Sequence, residues 1–195
     1  MKLNSLPDLL IHELQDLCSA EQQLTEALPK MAKAAKNPML KQAFESHLKE
    51  TLQQLEQVQS LLDSLDATPG RHKCAAMAGI IKEGEDILKA DGEDSVKDAA
   101  IISAAQRVEH YEIAGYGTAR TLAATLGHEN VARTLERILE QEHAADEKLS
   151  EISSQVNEMA AQAMQGQSDQ EGGSSGGGAS GSGRSSGSKG RSGSR

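Results

Sequence analysis

Four long stretches of this chain repeat apolar residues at helical spacing, and each carries an acidic residue on or beside its apolar stripe: Glu21, Glu50, Glu112, and the pair Glu142 and Asp146. The stripes call for helices packed on one another. The acids call for something more. An ionised carboxylate in a dry core is unfavourable by several kcal/mol unless a partner compensates it. The sequence therefore specifies a helical bundle and also a reason for charge inside it.

The punctuation between the stretches sets the connections. A first helix, capped by Ser5, starts near Pro7 and runs to about Lys36, with a kink expected at Pro29. Asn37-Pro38 is a cap followed by a first-turn proline and opens a second helix, which stops near Leu65, before Thr68-Pro69-Gly70. A shorter helix spans roughly Lys73 to Lys89. Asp94 or Ser95 caps the next long helix, which ends at Leu126 with Gly127 as its C-terminal cap residue. The last runs from about Glu129 to Ala163. Two of the links are very short and predict antiparallel hairpins. The middle link, about 30 residues with its own helix, is long enough to run the length of the bundle. Two hairpins joined by one long crossover make the ferritin-like form of a four-helix bundle. The predicted fold class is all-α.

Composition divides the chain at residue 166. The first 165 residues are rich in helix formers and nearly free of aromatics. From Gly166 to Arg195, Gly and Ser supply 21 of 30 residues, a composition that buries no core and predicts a disordered, basic tail. The net charge of -9, less a tail of +2, leaves about -11 on the bundle, which argues against nucleic-acid binding by the folded part. The tail's Arg and Lys leave weak contact with nucleic acid open, though a flexible solubilising tail is the plainer reading. No apolar run approaches the roughly 18 residues of a membrane span, and the N-terminus does not read as a signal peptide. Cys18 and Cys74 form no CxxC pair. A cytoplasmic protein with free thiols is expected.

Direction and height bring the acids together. At about 100° per residue, Glu21 lies between Leu14 and Leu17 on one side and Leu24 and Leu28 on the other. Glu112 lies near the centre of the stripe Ile101, Ala105, Val108, Ala119 and Leu122, with Glu109 on its flank. Glu142 and Asp146 share one face of the last helix. On the second helix the stripe Phe44, Leu48, Thr51, Leu55, Val58 and Leu62 leaves Glu50 and Gln54 on the flank, beside His47. Glu21 and Glu50 stand about 15 and 14 residues from the first hairpin turn, and Glu112 and Glu142 about 16 and 14 from the second. At about 1.5 Å per residue the acids share one layer near mid-length. No Lys or Arg sits on these stripes at that level. Carboxylates without buried cations are what hard divalent ions require.

The candidate metal ligands are thus Glu21, Glu50, Glu109, Glu112, Glu142 and Asp146, around two divalent ions, iron or manganese. His47, Gln54 and Tyr116 are candidates for the surrounding hydrogen bonds, and His110, two residues before Glu112, is a further possible ligand or donor. Glu140-x-x-His143 spells a di-iron pattern, but Glu140 points away from the stripe and His143 lies at its rim, so the pair is read as a decoy. Gly115 and Gly117 are expected to allow close helix approach.

Four segments resemble the YciE/YciF ferritin-like stress-protein family: AEQQL (Ala20–Leu24), HLKET (His47–Thr51), CAAMAGIIKEG (Cys74–Gly84) and AAQRVEHYEIAGYGT (Ala104–Thr118). The resemblance covers roughly residues 3 to 158. It implies a rubrerythrin-like bundle, a homodimer and a part in bacterial stress responses, with the six acids at the family's acidic positions. The chain departs from ferritin-like di-iron patterns in its nitrogen ligands, since Gln53 and Gln54 stand where the second helix would carry a histidine. A nearly all-oxygen site would favour manganese, magnesium or calcium relative to iron. The expected function is a di-metal carboxylate protein of oxidative or osmotic stress, consuming peroxide or sequestering iron. The alternative is a non-enzymatic dimeric bundle acting through protein or nucleic-acid partners.

Overall fold

The computed structural model describes residues 3–172. It contains five helices: α1 (Leu6–Ala34), α2 (Pro38–Ser64), α3 (Ala75–Lys89), α4 (Asp94–Thr125) and α5 (Glu129–Gly172). The bundle and its core lie within Met1–Ala161; of the second unit, Gln162–Arg195, the described part is the end of α5. No helix among the described residues is long and apolar enough to cross a membrane.

The helix ends follow local chemistry. The Ser5 side chain accepts from the Asp8 N–H at 3.3 Å, and Asn37 Oδ1 accepts from Met39 and Leu40 at 2.9 and 3.3 Å, each ahead of a proline that has no N–H to satisfy. α1 continues through Pro29 to Ala34 as one helix. At α4 the expected cap is displaced: Asp94 and Ser95 are already helical, and Glu93 stands at the cap position without a side-chain bond to the helix. Gly127 takes a φ of +76°, and the His128 N–H returns to the Ala123 carbonyl at 2.9 Å, so the α4–α5 turn is closed by a glycine in the left-handed region. α5 runs on to Gly172, past the expected end at Ala163 and into the segment read as a disordered tail; the rest of that tail, from residue 173, lies outside the described residues.

Two short turns and one long crossover give the ferritin-like topology. α1 packs on α2, and α4 on α1. The crossover helix α3 lies against α4 and α1. Its start is anchored at Cys74, whose N–H donates to Ser19 Oγ at 2.9 Å and whose carbonyl accepts from Gln23 Nε2 at 3.1 Å. The start of α4 is tied to the first hairpin turn by Asp98, which accepts from the backbone N–H groups of Lys36 and Asn37 at 2.9 and 2.6 Å. Gly115 lets α4 approach α1: a Cβ there would fall 2.8 Å from Leu17 Cδ2. Gly117, expected to do the same, faces no neighbour within 4 Å, so close packing does not require it.

The apolar core is in two parts. One holds Leu24, Leu28, Leu40, Phe44, Ile101, Val108, Leu149 and Ile152; the other holds Leu10, Leu14, Val58, Leu62, Ala119, Leu135 and Ile138. The residues between them along the helices are Glu21 on α1, His47, Thr51 and Gln54 on α2, Glu109 and Glu112 on α4, and Glu142 on α5, all buried. A polar layer therefore divides the core near mid-length.

Candidate metal centre

The layer collects one or more polar side chains from each long helix because an inward position recurs every three or four residues. On α2 the buried face runs Leu40, Phe44, His47, Thr51, Gln54, Val58 and Leu61. This face is turned relative to the expected stripe: Leu48 and Leu55 are only partly buried, while His47 and Gln54 point inward. On α4, Glu109 and Glu112 lie one turn apart and both face in.

His47, Glu109, Glu112 and Glu142 bring one potential ligand atom each to within 4.8 Å of one another. His47 Nε2 stands 3.4 Å from Glu109 Oε1 and 3.9 Å from Glu142 Oε2. Glu21 borders this group and accepts the Tyr116 hydroxyl proton on Oε1. Gln54 Nε2 donates to Glu142 Oε1 at 2.6 Å and to Gln141 Oε1 at 3.2 Å. Of the three side chains expected around the ligands, Tyr116 and Gln54 thus donate hydrogen bonds to acids of the layer.

His47 occupies a more central place than expected. It offers a nitrogen on α2 seven residues before Gln54, so the candidate donor set is not all oxygen. Glu50 lies at the rim, its side chain 42% exposed and 3.7 Å from His47 Nδ1. Asp146, expected inside the stripe, is drawn aside by polar neighbours. Its Oδ1 accepts from Gln106 Nε2 at 3.1 Å, and its Oδ2 lies 3.7 Å from exposed His110. That interaction places His110 at the surface rather than in the layer. Glu140 and His143 are both exposed, in keeping with a decoy motif.

The electrostatics of the layer are severe. Burial pushes Glu21 up to about 8, against the lowering effects of the Tyr116 hydrogen bond and His47. Burial, reinforced by the neighbouring carboxylates, raises Glu112 well above the usual range. Burial likewise raises Glu109 and Glu142, although His47 opposes it in both. For His47, burial favours the neutral ring, but the charges of Glu109, Glu142 and Glu21 and the contact with Glu50 prevail and hold it at about 10. Like charges crowded out of water bind protons unless a cation replaces them.

Hydrogen bonding shows the same shortfall. Both carboxylate oxygens of Glu112, one oxygen each of Glu21, Glu109 and Glu142, and both ring nitrogens of His47 are buried without a hydrogen-bond partner in the protein. Buried polar atoms are normally satisfied. Lone pairs from three carboxylates and an imidazole that converge without donors fit a first-row divalent cation.

Outside the layer a second polar group ties α1, α3 and α4 together. The Tyr111 hydroxyl donates to Asp16 and lies 2.9 Å from the Cys74 sulfur, and His72 Nε2 sits 2.8 Å from Asp16 Oδ1. Burial alone would raise Asp16, but the hydrogen bonds from Tyr111 and His72 outweigh it and hold the carboxyl below its ordinary value. Cys18 and Cys74 are both free and buried.

Comparison with known proteins gives the same architecture. The chain is 44% identical over 162 residues to protein YciF of Escherichia coli, spanning 82% of this chain and 98% of that protein. The crystal structure of the Escherichia coli stress protein YciF superposes with a TM-score of 0.78 at 43% identity, over 80% of this chain and 99% of that one. A ferritin-like, diiron-carboxylate protein from Bacillus anthracis superposes with a TM-score of 0.61 at 18% identity, over 77% of this chain and 99% of that one, a likeness of fold. The family model described as a domain of unknown function, DUF892, matches residues 5–162, and the chain belongs to that family, with YciF among its relatives.

Proposed function

We propose that this chain is a ferritin-like stress protein whose buried layer holds a pair of divalent metal ions, iron or manganese, and that it consumes peroxide or sequesters iron. The observation that carries the reading is the convergence of His47, Glu109, Glu112 and Glu142 within 4.8 Å, with oxygens and nitrogens that have no hydrogen-bond partner in the protein. The name of the Escherichia coli relative supports the stress role, and the fold shared with a diiron-carboxylate protein supports the metal.

In this reading His47, Glu109, Glu112 and Glu142 are the inner ligands. Glu21 and Glu50 border them and would complete a second ion's set, and Asp146 stands further out. The metal pair would supply Lewis acidity and reversible electron transfer. The chain does the remaining work. Gln54 fixes Glu142 by donating to one of its oxygens, leaving the other turned inward, and Tyr116 does the same for Glu21. The two apolar halves of the core exclude water above and below the layer. The displaced protons leave as the cations enter.

The test is metal analysis of protein purified without chelator, followed by titration with Fe(II) and Mn(II). The reading expects one to two equivalents bound, with uptake abolished in Glu112→Leu. Failure to bind either ion would remove it.

A further inference from the structure

A cleft of about 660 Å³ opens between α2 and α5 and ends at the layer. Its walls are mixed: Ala43, Phe44, Ala145 and Leu149 belong to the larger, apolar part, and Gln42, Ser46, Gln141 and Lys148 to the polar part; its inner end is His47 and Glu109. An ion or a molecule of hydrogen peroxide needs a space close to that of one water. This volume falls in the range of sites that take small organic ligands, about 300–1,000 Å³.

The two ends of the cleft define what it would hold. The walls favour an apolar body. His47 and Glu109 are more than nine-tenths buried; the metal set takes one atom from each, which leaves a second ring nitrogen on His47 and a second carboxylate oxygen on Glu109 for the head. A hydroxyl group meets both needs, donating one hydrogen bond and accepting another. An anionic head is disfavoured. Glu50 also lines the inner end, and Lys148, on the same lining, is engaged by Glu151 at 3.0 Å.

We infer that the α2–α5 cleft is a binding site for a small neutral organic molecule with an apolar body and a hydroxyl or hydroperoxyl head, seated with its head at His47 and Glu109. The inference is one of binding; it goes beyond the proposed metal centre, which lies at the head end of the cleft, and is tested separately from it. Phe44 and Leu149 hold the body, and the head is the end that enters the layer.

The probe is 2-phenylpropan-2-ol, the unreactive alcohol counterpart of an aryl hydroperoxide. It is titrated into the purified protein beside isopropylbenzene, which lacks the hydroxyl, and benzoate, which carries charge. Methyl NMR shifts of Ala43, Ala145 and Leu149 report binding, and metal content is measured on the same samples. The alcohol is expected to bind about tenfold more tightly than either comparison compound. Ala145→Phe, which fills the cleft, is expected to weaken it about tenfold or more with metal content unchanged. Ala144→Trp, at an exposed position on the lining, serves if Ala145→Phe does not fold. Equal affinity for the hydrocarbon, shifts confined to other methyls, or undiminished binding in the folded variant would overturn the cleft. Tight alcohol binding by protein that takes up no metal would keep the cleft and remove the metal centre instead.

Discussion

Asp98 and Glu112 are buried carboxylates on the same helix, 3% and 1% exposed, and they are satisfied in opposite ways. Asp98 receives two backbone N–H donors, at 2.9 and 2.6 Å, and ties α4 to the α1–α2 turn. Neither oxygen of Glu112 has a donor in the protein, and three further acids crowd it. Burial alone therefore does not mark a functional acid. Asp98 is accounted for by the fold, because charge-assisted bonds offset its desolvation. Glu112 needs a partner from outside the fold, and the convergence of His47, Glu109 and Glu142 beside it favours a cation.

The contrast can be broken most decisively by removing each acid in turn. Glu112→Leu should lower metal affinity by more than the roughly 10- to 100-fold typical of losing an outer hydrogen-bond partner, as read by competition titration. The same variant, stripped of metal, should unfold no more easily than the parent and be up to about 4 kcal/mol more stable, because an apolar side chain replaces a buried acid. Asp98→Ala should do the reverse. It should cost about 2–4 kcal/mol in denaturant melts with or without metal, since two backbone donors lose their acceptor, and leave metal stoichiometry unchanged. If Asp98→Ala removed metal, or Glu112→Leu destabilised the stripped protein by a similar amount, the distinction would collapse.

Proton linkage sharpens the same comparison. Glu21 is raised from 4.5 to about 8, so the folded metal-free protein holds its proton where the unfolded chain has lost it. Its contribution is fully present below 4.5 and declines as pH rises through about 8. His47, raised from 6.5 to about 10, contributes below 6.5 and loses that contribution as pH rises through about 10. Chelator-treated protein should therefore become less stable from pH 5 to pH 9 in thermal melts. Metal-loaded protein should resist this decline, because ions replace the protons. A loss of stability with pH that metal did not reduce would contradict the assignment. The smallest expected effect is Gln54→Leu, which frees one oxygen of Glu142 and should weaken metal binding about tenfold with little change in fold.

Much of this was legible in the sequence because helical periodicity and turn chemistry are local. Asn37-Pro38, Gly127 and the long middle link are enough to specify two hairpins and a crossover. The level of Glu21, Glu112 and Glu142 follows from counting residues back to the turns. α2 was harder to read. Leu48 and Leu55 drew the apparent stripe toward themselves, whereas the buried face carries His47, Thr51 and Gln54 at the layer. A signal existed: Leu40, Phe44, His47, Thr51, Gln54, Val58 and Leu61 alternate steps of four and three without interruption. Apolarity ranks that face low because its middle is polar, and the polar middle is the functional part. Asp146 shows the complementary limit. Its angle on α5 is inward enough to pass, but Gln106 and His110 on α4 supply polar partners that no pattern along α5 reveals.

The unsatisfied atoms of the buried layer are the candidate ligands. The most direct measurement is a titration of purified, chelator-treated protein with Mn(II) in weakly buffered solution, recording bound metal and released protons together. One to two ions should bind, with proton release that is lost in Glu112→Leu and retained in Asp98→Ala. Less than about 0.2 equivalents bound, or binding without proton release, would show that the raised carboxylates of the layer are not giving up protons to a metal.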